Sequence, residues 1–164
     1  MVLFERGNLM ITQGGVLKSR MLGLDYGDKT IGVAVSDPFG MMALGLTTLW
    51  RKHPSALKPS LRELREIVNE YTINAIVLGF PKRMNNTEGE RCAKTLLFKD
   101  RLTEYFGLDV VLWDERLSTA WSKRIIHEKN DKTRSTKKSS YKNVDEIAAV
   151  IILQGYIDFL NNSL

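Results

Sequence analysis

Three acidic residues stand at positions from which a folded chain could bring them together. Asp25 follows a short apolar run, Glu115 follows another apolar run much later, and Asp145 lies at the start of an apolar helical pattern. Carboxylate oxygens are the ligands that Mg²⁺ or Mn²⁺ prefer, and phosphate oxygens can complete the coordination. Three converging carboxylates would therefore suit metal-dependent cleavage of phosphodiester bonds.

Each of these acids also has a simpler structural explanation. An isolated acid after a strand is more often a turn former or a solvated charge, and the positive end of a helix dipole would stabilise Asp145. Asp114 precedes Glu115, but consecutive strand residues point to opposite faces. If Glu115 faces the site, Asp114 does not, so we leave Asp114 out of the candidate set.

The segments that must position these acids are strands and helices in alternation. Apolar runs of strand length fall at residues 21–25, 30–36, within 41–50, at 75–79 and at 110–113. The Gly27-Asp28 turn between the first two runs predicts a β-hairpin. A helix between the last two runs implies that these strands pair in parallel.

Four helical patterns accompany the strands. They begin at Pro59, after a polar loop that runs through Gly89, at Ser118 and after Asn143. The last pattern is apolar on nearly all sides, so we expect that helix to be largely buried. The order of the elements predicts a mixed sheet covered by helices. Residues 1–19 have no sustained period and are expected to be a flexible N-terminal extension, and residues 20–164 to form one domain.

The composition limits the classes of protein that fit. The 164 residues are 43% hydrophobic, which suits one compact domain. One cysteine and two histidines exclude an internal disulfide and leave too few ligands for a structural zinc site. No apolar run reaches the roughly 20 residues that cross a bilayer, so we expect a cytoplasmic protein with no membrane partner.

Positive charge is concentrated in one segment. The net charge is +5, yet residues 123–142 alone carry +6, with eight Lys or Arg against two acids. This excess favours an anionic partner such as nucleic acid. Residues 129–142, which include Lys137 and Lys138, are typical of a flexible basic loop that closes over a nucleic-acid strand, and equally of a plain connector.

Other candidate contacts to nucleic acid lie near the proposed acids. Gly27 lacks a side chain, so a phosphate can approach its backbone, and Lys29 and Arg116 adjoin the candidate ligands. Lys82 and Arg83 are weaker candidates on the loop after a strand. For Lys29 and Arg116, a solvated charge or a surface ion pair is an equal alternative.

Aromatic residues offer a second kind of contact. Trp113 and Trp121 could stack on bases, but rings at strand and helix positions are more often part of a core.

Four sequence blocks carry a family resemblance. They are LDYGDKTIGVAVSD at residues 24–37, VLGFP at 77–81 with NNTEG at 85–89, WDERLST at 113–119, and VD at 144–145 with AAVIILQ at 148–154. In this order they resemble the YqgF/RuvX-type pre-16S rRNA nucleases, a family long described as Holliday junction resolvases, over about residues 20–160. Four ordered blocks are far more specific than any one of them. The first block also resembles the phosphate-binding hairpin of actin-like ATPases, but those need two domains.

The resemblance implies a ribonuclease H-like α/β fold with a mixed five-stranded sheet and helices on both faces. It places the catalytic acids on Asp25, Glu115 and Asp145 as ligands of Mg²⁺ or Mn²⁺. Asp25 would bridge the ions, Glu115 would bind one of them, and Asp145 would bind an ion or orient the attacking water. The implied activity is hydrolysis of nucleic acid, with the 5′ end of pre-16S rRNA as substrate and ribosomal particles as further partners.

Two alternatives stay open. A resolvase of branched DNA would use the same acids, and symmetric cutting would favour a dimer, so the expected state is a monomer or a weak homodimer. A non-catalytic ribosome-assembly factor would bind RNA through its basic patch without depending on a metal. The chain departs from the family pattern at Phe80 and in residues 129–142, which affects substrate choice more than chemistry.

Overall fold

The computed structural model describes residues 10–12, 15–17, 20–81, 86–114 and 144–162. The strands in these ranges are β1 (Met10–Thr12), β2 (Gly15–Leu17), β3 (Arg20–Tyr26), β4 (Thr30–Ser36), β5 (Ala43–Trp50), β6 (Ile73–Phe80) and β7 (Asp109–Asp114). The helices are α1 (Leu57–Glu70), α2 (Asn86–Phe106) and α3 (Val144–Asn162).

Five strands form one mixed sheet in the order β5-β4-β3-β6-β7. The strands β3, β4 and β5 pair as antiparallel neighbours, whereas β6 runs parallel to both β3 and β7. The hairpin, the third strand and the parallel pair predicted from the sequence are therefore confirmed. Strands β1 and β2 form a separate antiparallel pair, and the flexibility of residues 1–19 stays a prediction.

One face of the sheet is covered by α1 and α2, and we call it the α1/α2 face. The helices contribute mainly large apolar side chains to a common core, among them Leu61, Leu64, Val68, Phe98 and Leu102. The strand residues that pack against these side chains are Leu22, Leu24, Ile31, Val33, Leu49, Ile76 and Leu78. This packing follows from the helical spacing of the apolar residues, which gives each helix one side to bury.

Two helix boundaries differ from the sequence prediction. Helix α1 begins at Leu57 rather than Pro59, because a proline in the first turn lacks only an N–H that has no partner within the helix. Helix α2 begins at Asn86, inside the stretch predicted as a loop through Gly89. It ends before Gly107, whose φ of 65° is the left-handed conformation that commonly closes a helix.

The opposite face is covered by α3, and we call it the α3 face. Small strand residues such as Ala34 and Ala75 pack there against the helix. Glycines permit a close approach: a Cβ on Gly23 would lie 2.6 Å from the Cβ of Leu153, and one on Gly155 would lie 2.8 Å from the indole Nε1 of Trp113. Helix α3 thus lies directly on the strands, and the prediction that it is largely buried is confirmed.

Buried Gln154 fixes the second half of α3 to the start of β5. Its Oε1 accepts a hydrogen bond from the amide of Ala43 at 2.8 Å, and its Nε2 donates to the carbonyl of Met41 at 3.2 Å and to Oδ1 of Asp158 at 2.8 Å. No helix in the described ranges has the length and apolar character needed to cross a membrane.

Candidate active site

The carboxyl ends of the parallel strands β3, β6 and β7 meet at one edge of the sheet. Asp25 is the penultimate residue of β3, and Trp113, paired with Gly79 of β6, is the penultimate residue of β7. Ligands of open α/β sheets bind outside such strand ends. Asp25 therefore lies at the edge of the sheet where a ligand site is expected.

Gly32 brings the first turn of α3 next to Asp25. It is the cross-strand partner of Asp25, so the two Cα atoms are about 5 Å apart and their side-chain directions share one face. A Cβ on Gly32 would overlap the main-chain carbonyl of Asp145 and lie 3.2 Å from the amide nitrogen of Glu146. Asp145 therefore lies against the strand pair that carries Asp25, and two of the three predicted acids are neighbours.

The face on which Asp25 lies follows from its own strand. Gly23, two residues earlier, has its Cβ position against Leu153 of α3, so alternation puts the side chain of Asp25 on the α3 face as well. Asp25 and Asp145 are both partly buried. Asp145 and Glu146 occupy the first turn of α3, where the helix dipole stabilises negative charge.

Asp114, the last residue of β7, lies on the opposite face of the sheet from Asp25. Trp113 lies on the α3 face, where its ring packs at 5.5 Å from the ring of Tyr156. Asp114 is the next strand residue and pairs with Phe80, so it lies on the α1/α2 face. Leaving Asp114 out of the candidate set agrees with this arrangement.

The donors at the site fit a hard cation. Within the ranges that the structure describes, no three Asp, Glu, His or Cys side chains lie close enough together to hold a metal ion. Those ranges supply the carboxylates of Asp25 and Asp145, and the third predicted ligand, Glu115, lies outside them. Two carboxylates at one strand edge are the oxygen donors that Mg²⁺ or Mn²⁺ would require.

A buried arginine that the sequence analysis missed holds the turn beside Asp25. Arg51 is 6% exposed, and its guanidinium donates to the carbonyl of Gly27, to the carbonyl of Pro54 at 2.7 Å and to the hydroxyl of Tyr26 at 3.2 Å. It also stacks over the Tyr26 ring at 4.6 Å. Because Arg51 only follows the end of a strand, no sequence pattern marks it as a partner of this turn.

The turn also faces the first half of α2. A small cavity of about 10 Å³ between them is lined by Tyr26, Gly27, Asp28, Arg91, Lys94 and Thr95. The ammonium of Lys94 lies 2.9 Å from Glu90 and 3.4 Å from Asp28, and its hydrogen bonds to these carboxylates raise its pKa above the usual 10.5. Arg91 is exposed beside the turn, and the sequence analysis did not select it.

The predicted nucleic-acid contacts fall into two groups. Gly27 and exposed Lys29 form the turn that follows Asp25, as predicted. The other predicted contacts lie outside the described residues, and they are Lys82, Arg83, Arg116, Lys137 and Lys138. The helix predicted at residues 118–127, the loop at 129–142 and the cap at Asn143 also lie outside them.

Comparison with known proteins gives a consistent family. A family model described as RuvX, Holliday junction resolvase, matches residues 19–159. A relative from Agathobacter rectalis named "Putative pre-16S rRNA nuclease" is 51% identical over 144 residues, which cover 88% of this chain and 98% of the relative. A relative of the same name from Thermoanaerobacter pseudethanolicus is 44% identical over 143 residues, covering 87% and 99%.

Solved structures agree on the architecture. RuvC of T. thermophilus in complex with a Holliday junction substrate matches with a TM-score of 0.58 at 12% identity, over 88% of this chain and 96% of RuvC. A further Thermus thermophilus RuvC structure, over the same shares of each chain, gives a TM-score of 0.53 at 10% identity. These likenesses concern the fold, and they confirm the predicted ribonuclease H-like arrangement. Because the family match spans nearly the whole chain and the Agathobacter rectalis relative is 51% identical, the chain belongs to the RuvX family.

Proposed function

We propose that the chain is a divalent-metal-dependent nuclease that hydrolyses phosphodiester bonds, with the 5′ end of pre-16S rRNA as its substrate. The observation that carries the proposal is the contact of the Asp145 main chain with Gly32, the strand partner of Asp25. Folding thereby joins two acids that are far apart in sequence at a strand edge. The nuclease names of the relatives support the same conclusion.

Glu115 is the third acid of the proposed site. Trp113, two residues before Glu115 in the sequence, lies on the α3 face, which is also the face of Asp25, and Glu115 itself lies outside the described residues. Strands β3 and β7 are separated only by β6, which puts them about 10 Å apart. Asp25 and Glu115 would each supply one carboxylate to the cation.

Mg²⁺ or Mn²⁺ is the proposed cofactor. Asp25 would bridge the ions, Glu115 would bind one of them, and Asp145 would bind an ion or orient the attacking water. When bound, such an ion supplies Lewis-acid stabilisation of the charge that develops on the scissile phosphate.

The chain's own groups would hold the substrate backbone beside this site. Gly27 presents no side chain to an approaching phosphate, and Lys29 and Arg91 are exposed cations around it. We assign the same role to cations outside the described residues, namely Lys82, Arg83, Arg116, Lys137 and Lys138.

The proposed substrate also implies a cellular location, a binding partner and an oligomeric state. Ribosomal RNA precursors are processed within assembling ribosomal particles, so we expect the protein to meet such particles in the cytoplasm. A single cut in one RNA strand requires only one site, which fits a monomer or a weak homodimer.

The test is Mn²⁺-supported cleavage of matched RNA and DNA substrates. We expect Asp25→Asn, Glu115→Gln and Asp145→Asn each to lower the cleavage rate by about a thousandfold or more, because each removes a ligand worth several kcal/mol of transition-state stabilisation. Asp114→Asn is the matched control, since it neutralises an acid on the α1/α2 face, and it should cut like the wild type. Wild-type cleavage by Asp25→Asn, or full activity in a chelator, would contradict the proposal.

The description of the matching family favours a second candidate, a resolvase of branched DNA. The same acids would act, but two symmetric cuts call for two related sites in a dimer. Four-way DNA junctions cut in preference to linear pre-16S rRNA, by a protein that is dimeric in light scattering, would favour the resolvase. Tight RNA binding that ignores divalent ions, with no cleavage of any substrate, would instead indicate an assembly factor.

A further inference from the structure

A solvent-exposed tryptophan lies at the end of the sheet that carries Asp25. Trp50 is the last residue of β5, the edge strand, and is 69% exposed. Its neighbour Leu49 is buried in the core of the α1/α2 face, so Trp50 projects from the opposite, α3 face. That is the face on which Asp25 and Asp145 lie.

The strand register gives the distance from Trp50 to the proposed site. Trp50 pairs with Thr30, whose carbonyl accepts a hydrogen bond from the amide of Gly27 at 2.9 Å. Asp25 on β3 is the strand partner of Gly32, which follows Thr30 by two residues on β4. Two strand spacings and two residues of rise separate Trp50 from Asp25, which amounts to about 12 Å between Cα atoms. A nucleic-acid strand bound at Asp25 can reach Trp50 within a few nucleotides.

The charges around Trp50 match a polyanion. Lys52 follows Trp50 by two residues and Lys29 precedes its strand partner Thr30, and both lysines are exposed. The main chains of Arg51 and Lys29 are joined by a 2.8 Å hydrogen bond. Among the described residues, no aromatic ring or cation packs against the indole of Trp50. An exposed indole flanked by cations is the combination by which proteins stack on bases while holding the adjoining phosphates.

The surroundings are less suited to a protein partner. An interface for a protein usually needs a contiguous apolar patch. The exposed apolar residues of the β4-β5 pair and its connecting turn include Phe39, Met41, Met42 and Leu44, which lie at the opposite end of the pair from Trp50. Val144, at the start of α3, is a further exposed apolar residue. Trp50 instead precedes a run of polar residues, from Arg51 to His53.

We propose that Trp50 is a stacking platform for an unpaired nucleobase of the substrate, with Lys29 and Lys52 on the adjoining phosphates. The inference rests on the proposed nuclease function and specifies its substrate class: a strand with unpaired bases next to the cleavage point, rather than continuous duplex. An unpaired base has an open π-face for the indole, whereas a base within a duplex is already stacked on both sides.

Binding measured without cleavage tests the proposal. Fluorescence anisotropy would follow a labelled single-stranded RNA and the matched blunt duplex on Asp25→Asn protein, with and without further substitutions. Trp50→Ala should weaken single-strand binding about 5- to 150-fold and leave duplex binding unchanged, because one stacked base is lost. Trp50→Phe should keep most of the affinity, since a smaller ring still stacks. Phe39→Ala is the control, an aromatic residue of 67% exposure at the opposite end of the strand pair.

Abasic substitution locates the stacked base. One base at a time is removed from the single strand, and the affinity is measured for protein with Trp50 and for Trp50→Ala. At one position, removing the base should weaken binding to protein with Trp50 but should leave binding to Trp50→Ala unchanged. Unchanged single-strand binding by Trp50→Ala, an equal loss on duplex, or an equal loss in Phe39→Ala would each overturn the stacking role. The proposed nuclease site is tested separately by cleavage. If Asp25→Asn protein with Trp50 intact cuts as fast as the wild type, the proposed site is wrong whatever the binding results for Trp50→Ala.

Discussion

The two faces of the central sheet are built on opposite principles. The α1/α2 face presents large aliphatic side chains such as Leu24, Ile31 and Leu78 to two helices. The α3 face combines Gly23, Gly32 and several alanines with larger side chains such as Trp113, and its helix contacts the main chain of the strands at the glycines. On the first face, large side chains fill the space between the sheet and the two helices. On the second face, glycines leave room for α3 to approach the strands closely.

This difference separates stability from chemistry. Large buried side chains contribute most of the apolar area that a domain removes from water, and they tolerate swaps of similar volume. A helix in main-chain contact with a strand has little room to move, so the first turn of α3 is held beside Asp25. Substitutions on the two faces should therefore affect different measurements.

The largest expected loss of stability comes from the α1/α2 face. Leu64 of α1 is fully buried, so Leu64→Ala should lower the free energy of unfolding by about 2–5 kcal/mol, from lost burial and a residual cavity. Urea denaturation measures this loss, and the cleavage rate of the folded fraction should stay near that of the wild type. Leu97→Ala on α2, where the side chain is 67% exposed, should change stability by no more than about 0.5 kcal/mol. A large drop in the cleavage rate of folded Leu64→Ala would break the separation of the faces.

Apart from the acids themselves, the largest expected loss of activity without unfolding comes from Gly32→Ala. The added methyl group would overlap the Asp145 carbonyl, and main chain on both sides cannot give way cheaply, so the first turn of α3 must shift. A shift of about 1 Å can cost on the order of a hundredfold in rate, which single-turnover cleavage would measure. Gly89→Ala is the control, because a Cβ there meets nothing within 4 Å. Equal rates for the two variants would show that the close approach does not matter to the chemistry.

A smaller effect is expected at Arg51, which joins the turn to the α1/α2 core. Arg51→Met keeps much of the stem but leaves the Gly27 and Pro54 carbonyls without their donor, at a cost of about 1–3 kcal/mol. The loosened turn should also raise KM more than it lowers kcat, because it would position substrate rather than react with it. Arg62→Met removes an exposed arginine from α1 and should leave both the stability and KM unchanged. If Arg51→Met behaves like Arg62→Met, the turn does not depend on the buried guanidinium.

The smallest effect is expected at the exposed ion pairs of Lys94. Its pKa is raised in the folded protein, mainly by the hydrogen bond to Glu90 and then by Asp28, so the pairs stabilise the fold fully below pH 10.5 and lose this contribution as the pH rises through the raised value. Lys94→Met should lower the melting temperature slightly at neutral pH. The difference from the wild type should shrink in high salt and at alkaline pH. A difference that persists in high salt would point to packing of the lysine stem instead.

Much of the fold could be predicted because it depends on local periodicity. The hairpin around Gly27, the parallel strands and the buried last helix all follow from apolar spacing and turn residues. The start of α2 could not be placed from the sequence, since the polar residues from Asn86 to Gly89 suit a loop and the first turn of a helix equally. Asp25 and Asp145 could be chosen from their positions after a strand and at a helix start.

The sequence by itself determined which residue types stand at strand ends and helix starts, because these depend on neighbours within a few positions. Only the tertiary structure decided that Gly32 seats Asp145 beside Asp25, that Arg51 holds the Gly27 turn, and that Trp113 is buried while Trp50 is exposed. Such relations depend on strand register and helix placement, in which a shift of one residue exchanges the faces of a strand. No local pattern encodes that register, because it arises from contacts between segments far apart in the chain.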